Sequence, residues 1–201
     1  MNNILFHQNY FDQKAVTWPN YASPKDRERL SDIFRNRLPR LNSPILDVGC
    51  GTGILLDQFY AVNQQLHTVI EVDLSPQMLI QNKNKNKGKY PVFYLQTNVE
   101  DMPIKTETIN SIICFASFAH FQNKSGVLQN FYKILRKGGY LIILHLMCHR
   151  RLNDLHRHAG FPVKNDRLPP VDELSNMSIS AGFEIQEREE NKDIYLIMSQ
   201  K

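Results

Sequence analysis

The run Ile45-Leu46-Asp47-Val48-Gly49-Cys50-Gly51-Thr52-Gly53 joins a short apolar segment to an acid and three alternate glycines. Glycines at that spacing let the chain turn sharply and approach a ligand with no Cβ in the way, and they leave free amides at the start of the following helix. A dinucleotide fingerprint would carry its third glycine where Ile54 stands, to receive a pyrophosphate. Asp47, just ahead of the loop, repels a diphosphate and suits a cationic or amine-bearing ligand. S-adenosylmethionine meets these terms: adenosine joined to a zwitterionic amino acid, with no phosphate. A second set of reactive side chains lies further along, His120 within Ser117 to Phe121, and then His145, Cys148, His149, Asn153, His156 and His158. Imidazole titrates near neutrality and can take a proton from a hydroxyl, thiol or amine.

Positioning these groups falls to alternating strands and helices. Ile45 to Val48 reads as a short buried strand, Ile54 to Tyr60 as a helix opening at the glycine loop, and Thr68 to Val72 as a second strand. Ser75-Pro76 starts the next helix, and Val92 to Leu95 and Ile109 to Phe115 are further apolar strands bounded by Pro91, Pro103 and polar turns. Val127, Leu128, Phe131, Ile134 and Leu135 form a helical stripe. Arg136 and Lys137 occupy its expected last turn before Gly138, where cations meet the helix's negative end. Tyr140 to Leu146 is a fifth strand, Val171 to Ala181 a helix stopped by Gly182, and Phe183 to Gln186 with Ile194 to Met198 a closing antiparallel pair. Ahead of the first strand, Ser23-Pro24-Lys25-Asp26 reads as a capping box, followed by Leu30, Ile33, Phe34 and Leu38 at helical spacing. The aromatic residues before it, Tyr10, Phe11 and Trp18, serve as packing or as a lid over the ligand. This alternation predicts an α/β fold, a mainly parallel sheet with helices on both faces and ligands above the carboxyl ends of its strands. If the chain is helical from about Cys148, then Cys148, Leu152, Leu155 and Ala159 form its buried stripe, and His149, Asn153 and His156 share an adjacent face.

From Ile45 to the C-terminus the sequence resembles the class I S-adenosylmethionine-dependent methyltransferases, whose fold is Rossmann-like with a seven-stranded sheet. Five stations carry the resemblance in order: the glycine loop; Val69 to Leu79 around Asp73; Gln96 to Pro103; Ile109 to Phe115; and Ile134 to Ile143 around Gly138-Gly139. The resemblance implies that S-adenosylmethionine is held by Asp47, Gly49, Cys50, Gly51, Gly53, Asp73, Leu74, Asn98, Val99 and Phe115. Asp73, twenty residues after Gly53, is to grip the two ribose hydroxyls. Asn98 stands where an acid usually accepts from the adenine amino group, and Ile109-Asn110 replaces the usual Phe-Asp. A narrower resemblance, to a bacterial subgroup, rests on Ser117 to Phe121, His145, Asn153 and His156. This chain departs from that subgroup at His149, for Arg, and at Trp18-Pro19, for Trp-Asp.

Methyl transfer from a sulfonium is an in-line displacement, so the protein chiefly aligns the groups and excludes water. His120 and His145, expected at strand ends, are the candidate general bases, each with the alternative of a hydrogen-bonded wall residue. Trp18, Phe121, His149, Asn153 and His156 are the candidate acceptor contacts, Phe118 and Phe121 giving an apolar lining. Imidazole and thiolate are good zinc or copper ligands, yet no paired motif such as Cys-x-x-Cys appears and no metal site is expected.

The chain's 201 residues suit one domain: an N-terminal helical or lid segment over 1–42, a cofactor-binding core over 43–146, and a substrate-side helix with closing strands over 147–201. The net charge of +4 owes much to Lys83, Lys85, Lys87 and Lys89, a polar run read as a solvated loop. No basic stripe with interleaved aromatics marks a nucleic-acid binder. Cys50, Cys114 and Cys148 have no framework spacing, and no apolar run could cross a bilayer, so a soluble cytoplasmic protein is expected. The leading expectation is methylation of a small molecule. The rivals are a non-catalytic S-adenosylmethionine-binding protein, suggested by Asn98 and Asn110, and a methyltransferase for RNA, protein, or a metal or metalloid acceptor.

Overall fold

A computed structural model describes residues 3–18 and 23–201; Pro19 lies outside the described residues. The first strand, β1 (Ile45–Val48), sends alternate side chains to opposite faces, as pleated geometry requires. Ile45 joins a core with Leu30, Ile33 and Phe34 of α2 (Pro24–Asn36) and with Leu56 and Phe59 of α3 (Leu56–Val62). Leu46 and Val48 join another with Val127, Leu128 and Phe131 of α5 (Lys124–Ile134) and with Leu174 of α7 (Val171–Ser180). The sheet is therefore covered on both faces, and every side chain of its central strand β1 is buried, Asp47 included.

Besides β1, the strands are β2 (Val69–Asp73), β3 (Val92–Gln96), β4 (Ile109–Phe115), β5 (Leu135–His145), β6 (Glu184–Glu190) and β7 (Tyr195–Gln200). Their spatial order is β3-β2-β1-β4-β5-β7-β6. Pairs among β1 to β5 are parallel, while β7 runs antiparallel to both β5 and β6. The order reverses between β1 and β4, which opens a crevice above their carboxyl ends, the usual ligand position in such sheets. The expected α/β architecture and closing antiparallel pair are both present.

Several boundaries differ from expectation. The chain bends at Ile54 and Leu55 and becomes helical only at Leu56. α5 ends at Ile134, and Leu135 already pairs with Ile109, so Arg136 and Lys137 are exposed strand residues, not a helical last turn. The register then jumps to Ser111 opposite Tyr140. The polar run from Asn82 is the second half of α4 (Pro76–Asn86), with Asn82 and Asn86 turned inward, so it is not a solvated loop. Ser23 and Asp26 do form the reciprocal capping box. A further helix, α1 (Asn3–Lys14), precedes it. No helix among the described residues is long and apolar enough to cross a membrane.

Candidate active site

The glycine loop sits at the carboxyl end of β1 because two close approaches demand it. A Cβ on Gly49 would lie 2.4 Å from Ser117 Cβ, and one on Gly53 would lie 2.3 Å from Asn82 Oδ1; both glycines have positive φ. Ser117 Oγ donates to Val48 O at 2.6 Å, tying the end of β1 to the turn after β4. One strand over, Asp73 ends β2. Its Oδ2 accepts from Gly51 N and its Oδ1 from Ser75 N, each at 2.8 Å. Each carboxylate oxygen keeps a lone pair for a hydroxyl, so the arrangement suits a vicinal diol.

Beneath the loop lies a buried group of acids. Asp47 pairs in register with Glu71, and Glu71 Oε2 accepts from Asn82 Nδ2 at 2.7 Å. Asp47 Oδ2 and Glu71 Oε1 have no partner among the described residues. Burial first, then the charges of Glu71 and Asp73, holds Asp47 well above the usual carboxylate range. Burial lifts Glu71 to about 7 and Asp73 to about 6, against the hydrogen bonds each accepts. Three carboxylates this close resist joint ionisation; a cation brought to the loop would relieve them. That is the observation by which S-adenosylmethionine, with its sulfonium and ammonium, fits this cradle.

The remaining residues of the expected cradle surround it. Cys50 is buried, with its amide donating to Val72 O at 3.0 Å. Leu74 follows Asp73 and accepts from Gln96 Nε2 at 3.4 Å. Asn98 caps the turn at Val99–Asp101, its Oδ1 accepting from Glu100 N at 3.3 Å, and Val99 is buried behind it. Phe115 is half-buried at the end of β4. Trp18 reaches the loop itself, its Nε1 3.4 Å from where a Cβ on Gly51 would be.

The second constellation centres on Asp166, which the sequence reading did not single out. Its carboxylate accepts from His120 Nδ1 at 2.7 Å and from His7 Nε2 at 2.9 Å, and its carbonyl accepts from His156 Nδ1 at 2.9 Å. Although burial opposes the charge, the His120 and His7 imidazoles bring Asp166 down to about 2. His7, burial notwithstanding, is raised by the same carboxylate. The His120 and His156 rings lie 4.8 Å apart, and Phe11 of α1 stands edge-on to His120 at 5.0 Å. α1 thus straps the carboxyl end of the sheet: His7 holds Asp166 on one side, and Asp12 accepts from Ser75 Oγ on the other. Two surface cavities, of about 480 and 310 Å³, lie near Tyr60 and Pro91 and near Asn110 and Gly139, at the amino-terminal side of the strands and away from these groups.

Other expected contacts take different places. The helix after β5, α6 (His149–Ala159), turns its polar face inward; Leu155 is 51% exposed and Ala159 is exposed, so the expected buried stripe is wrong. Polar partners explain the reversal. Asn153 donates to Leu168 O at 3.0 Å and accepts from Leu168 N at 2.8 Å, while His149 binds Glu190 through its ring and its amide. His149 and Asn153 are thereby engaged in holding α6, and only His156 of the three joins the histidine cluster. Phe121 packs edge-on against fully buried Phe118 within the core, not as an open lining. His145 is 1% exposed, and burial, then His120 and His156, lowers it to about 3, so it remains neutral and is a poor base near pH 7. The three cysteines are unpaired. Among the described residues no His, Cys, Asp or Glu group is arranged to hold a metal ion.

Comparison with known proteins bears directly on this geometry. A family model described as a methyltransferase domain matches residues 46–143, from the first strand through the fifth. Over those residues, just under half of its length, the chain is similar to S-adenosylmethionine-dependent methyltransferases. Among curated relatives, the ubiquinone/menaquinone biosynthesis C-methyltransferase of Wigglesworthia glossinidia brevipalpis is 30% identical over 120 residues, 56% of this chain and 48% of the relative. The chain spans about half the length of that relative. Among solved structures, the complex of the Haloferax volcanii Trm112 methyltransferase activator with a methyltransferase matches with a TM-score of 0.77 at 13% identity, covering 94% of this chain and 96% of the other. A methyltransferase from Thermotoga maritima matches with a TM-score of 0.73 at 20% identity, covering 96% and 99%. At such identities the structural likeness speaks for the fold.

Proposed function

We propose that this chain is a methyltransferase that moves a methyl group from S-adenosylmethionine to a small-molecule acceptor. Asp73 takes the ribose hydroxyls, Asn98 and Val99 meet the adenine, and Gly49 to Gly53 with Asp47 receive the amino-acid end. The bound cosubstrate supplies an electrophilic methyl on sulfonium. His120 takes the acceptor's proton, a contribution of roughly 10²- to 10⁴-fold for a well-placed base. The observation that carries this reading is the Asp73 carboxylate, fixed between two backbone amides one strand from Asp47, whose Oδ2 has no partner among the described residues. A small acceptor is supported by the cover that α1 lays over the histidines, with Phe11 against His120 and the His120 side chain 18% exposed. The quinone-biosynthesis role in the relative's name agrees with an acceptor of that size. A labelled-methyl assay against a fractionated metabolite pool tests it. Transfer to a discrete small molecule is expected, and transfer only to RNA or protein fractions would refute it.

A further inference from the structure

We propose that Asp166 fixes the tautomers of His120 and His156, and that the two imidazole nitrogens left bare receive a methyl acceptor carrying two neighbouring O–H or N–H donors. The proposal rests on reading this corner as the acceptor site. Asp166 offers only oxygens: its carboxylate to His120 Nδ1 and its backbone carbonyl to His156 Nδ1. Neither has a hydrogen to give, so in each neutral ring Nδ1 carries the proton and Nε2 the lone pair. Among the described residues no other hydrogen bond engages either ring.

His7 completes the device. Its Nδ1 faces Asn3 O at 3.0 Å and its Nε2 faces Asp166 at 2.9 Å, so both nitrogens meet acceptors and the ring is an imidazolium. It sets a positive charge against the Asp166 carboxylate, which also accepts from the His120 ring. His145, beside them at the end of β5, has a buried Nε2 with no partner among the described residues.

A corner of imidazole lone pairs repels carboxylates and phosphates and is left unsatisfied by purely apolar ligands. It is satisfied by a molecule with two adjacent hydrogens to donate, such as a catechol-type ring or an amino alcohol. One donor reacts and the other anchors on His156. For a hydroxyl acceptor, the oxygen lone pair forms the new O–CH₃ bond and the old C–S pair stays on sulfur as a thioether. The hydroxyl proton passes to His120 Nε2, giving an imidazolium that Asp166 stabilises. Asp166 is on this view a positioning residue.

Long-range ¹⁵N–¹H imidazole spectra at pH 8.5, without cosubstrate or acceptor, read the tautomers directly. Both His120 and His156 are expected as Nδ1–H. Asp166→Ala should move His120 to Nε2–H, and Asp166→Asn should do the same by donating its amide to Nδ1, as the corresponding substitution does in serine-protease triads. Asp166→Glu should restore Nδ1–H. Nε2–H on His120 in the parent, or Nδ1–H retained in both the Ala and Asn variants, overturns the tautomer assignment. If the Ala variant does not fold, the near-isosteric Asn variant decides. Catechol or 2-aminoethanol should shift both Nε2 signals, the pair telling hydroxyl from amine recognition; no shift with either, or an equal shift with benzoate, overturns the acceptor class. A parent with these tautomers that fails to bind S-adenosylmethionine would refute the methyltransferase reading alone.

Discussion

Replacing Glu71 by glutamine isolates the electrostatic cost of the acids beneath the glycine loop. Glu71 is fully buried and its pKa is lifted from 4.5 to about 7. The folded state therefore holds a proton that the unfolded chain releases between those values, and stability falls as pH rises through that window. A displacement of that size corresponds to about 3 kcal/mol lost by pH 8. Glutamine has nearly the same shape, accepts from Asn82 as Glu71 does, and cannot ionise. Urea unfolding of parent and Glu71→Gln at pH 5 and pH 8 gives four free energies. Their double difference removes the pH-independent hydrogen-bonding change and every titrating group that does not feel Glu71, and so reports Glu71 together with the acids coupled to it. It should show the variant favoured at pH 8 by an additional ~3 kcal/mol. A double difference below about 0.5 kcal/mol would refute the claim that these acids are electrostatically strained.

The same acids should make S-adenosylmethionine binding proton-linked. With Glu71 near 7 and Asp73 near 6, calorimetric titration at pH 6.5 in two buffers of different ionisation enthalpy should show net proton release. Affinity should rise from pH 6 to pH 8, since the deprotonated acids favour the cation; proton uptake would contradict this. His120→Ala should lower methyl transfer by roughly 10²-fold or more while leaving S-adenosylmethionine affinity nearly intact, and equal loss of both would make the residue structural. Gly49→Ala, whose Cβ would fall 2.4 Å from Ser117 Cβ at φ +71°, should destabilise the fold by more than ~1 kcal/mol, read as a lower melting temperature.

The juxtaposition of the glycine loop and Asp73 was legible in the sequence because it is local. Gly49 to Gly53 and Asp73 announce a strand, a bend and a second strand end, and parallel pairing of β1 with β2 then brings Asp73 to Gly51 without further information. The histidine corner was only partly legible. His120 and His156 stand out by residue type, but Asp166 lies 46 residues beyond His120 and 159 beyond His7, in a loop whose path is set by tertiary packing. α6 misled for a related reason: Leu152 and Leu155 suggested an apolar seam, while the partners that draw Asn153 and His156 inward come from Leu168 and Asp166. Glu71 and Asn82 were overlooked because neither residue alone signals the other; one is a strand position and the other sits in a polar low-complexity run. α1 lacks a regular apolar spacing, and its hold on the protein comes from two polar anchors, His7 and Asp12.

Titration of S-adenosylmethionine into the parent and into Asp73→Ala addresses the cradle itself. The parent should bind, and the variant should bind at least tenfold more weakly, because loss of charge-assisted hydrogen bonds to the ribose costs on the order of 1.5–3 kcal/mol. Equal affinity in the two proteins, or no binding by the parent, would contradict the account.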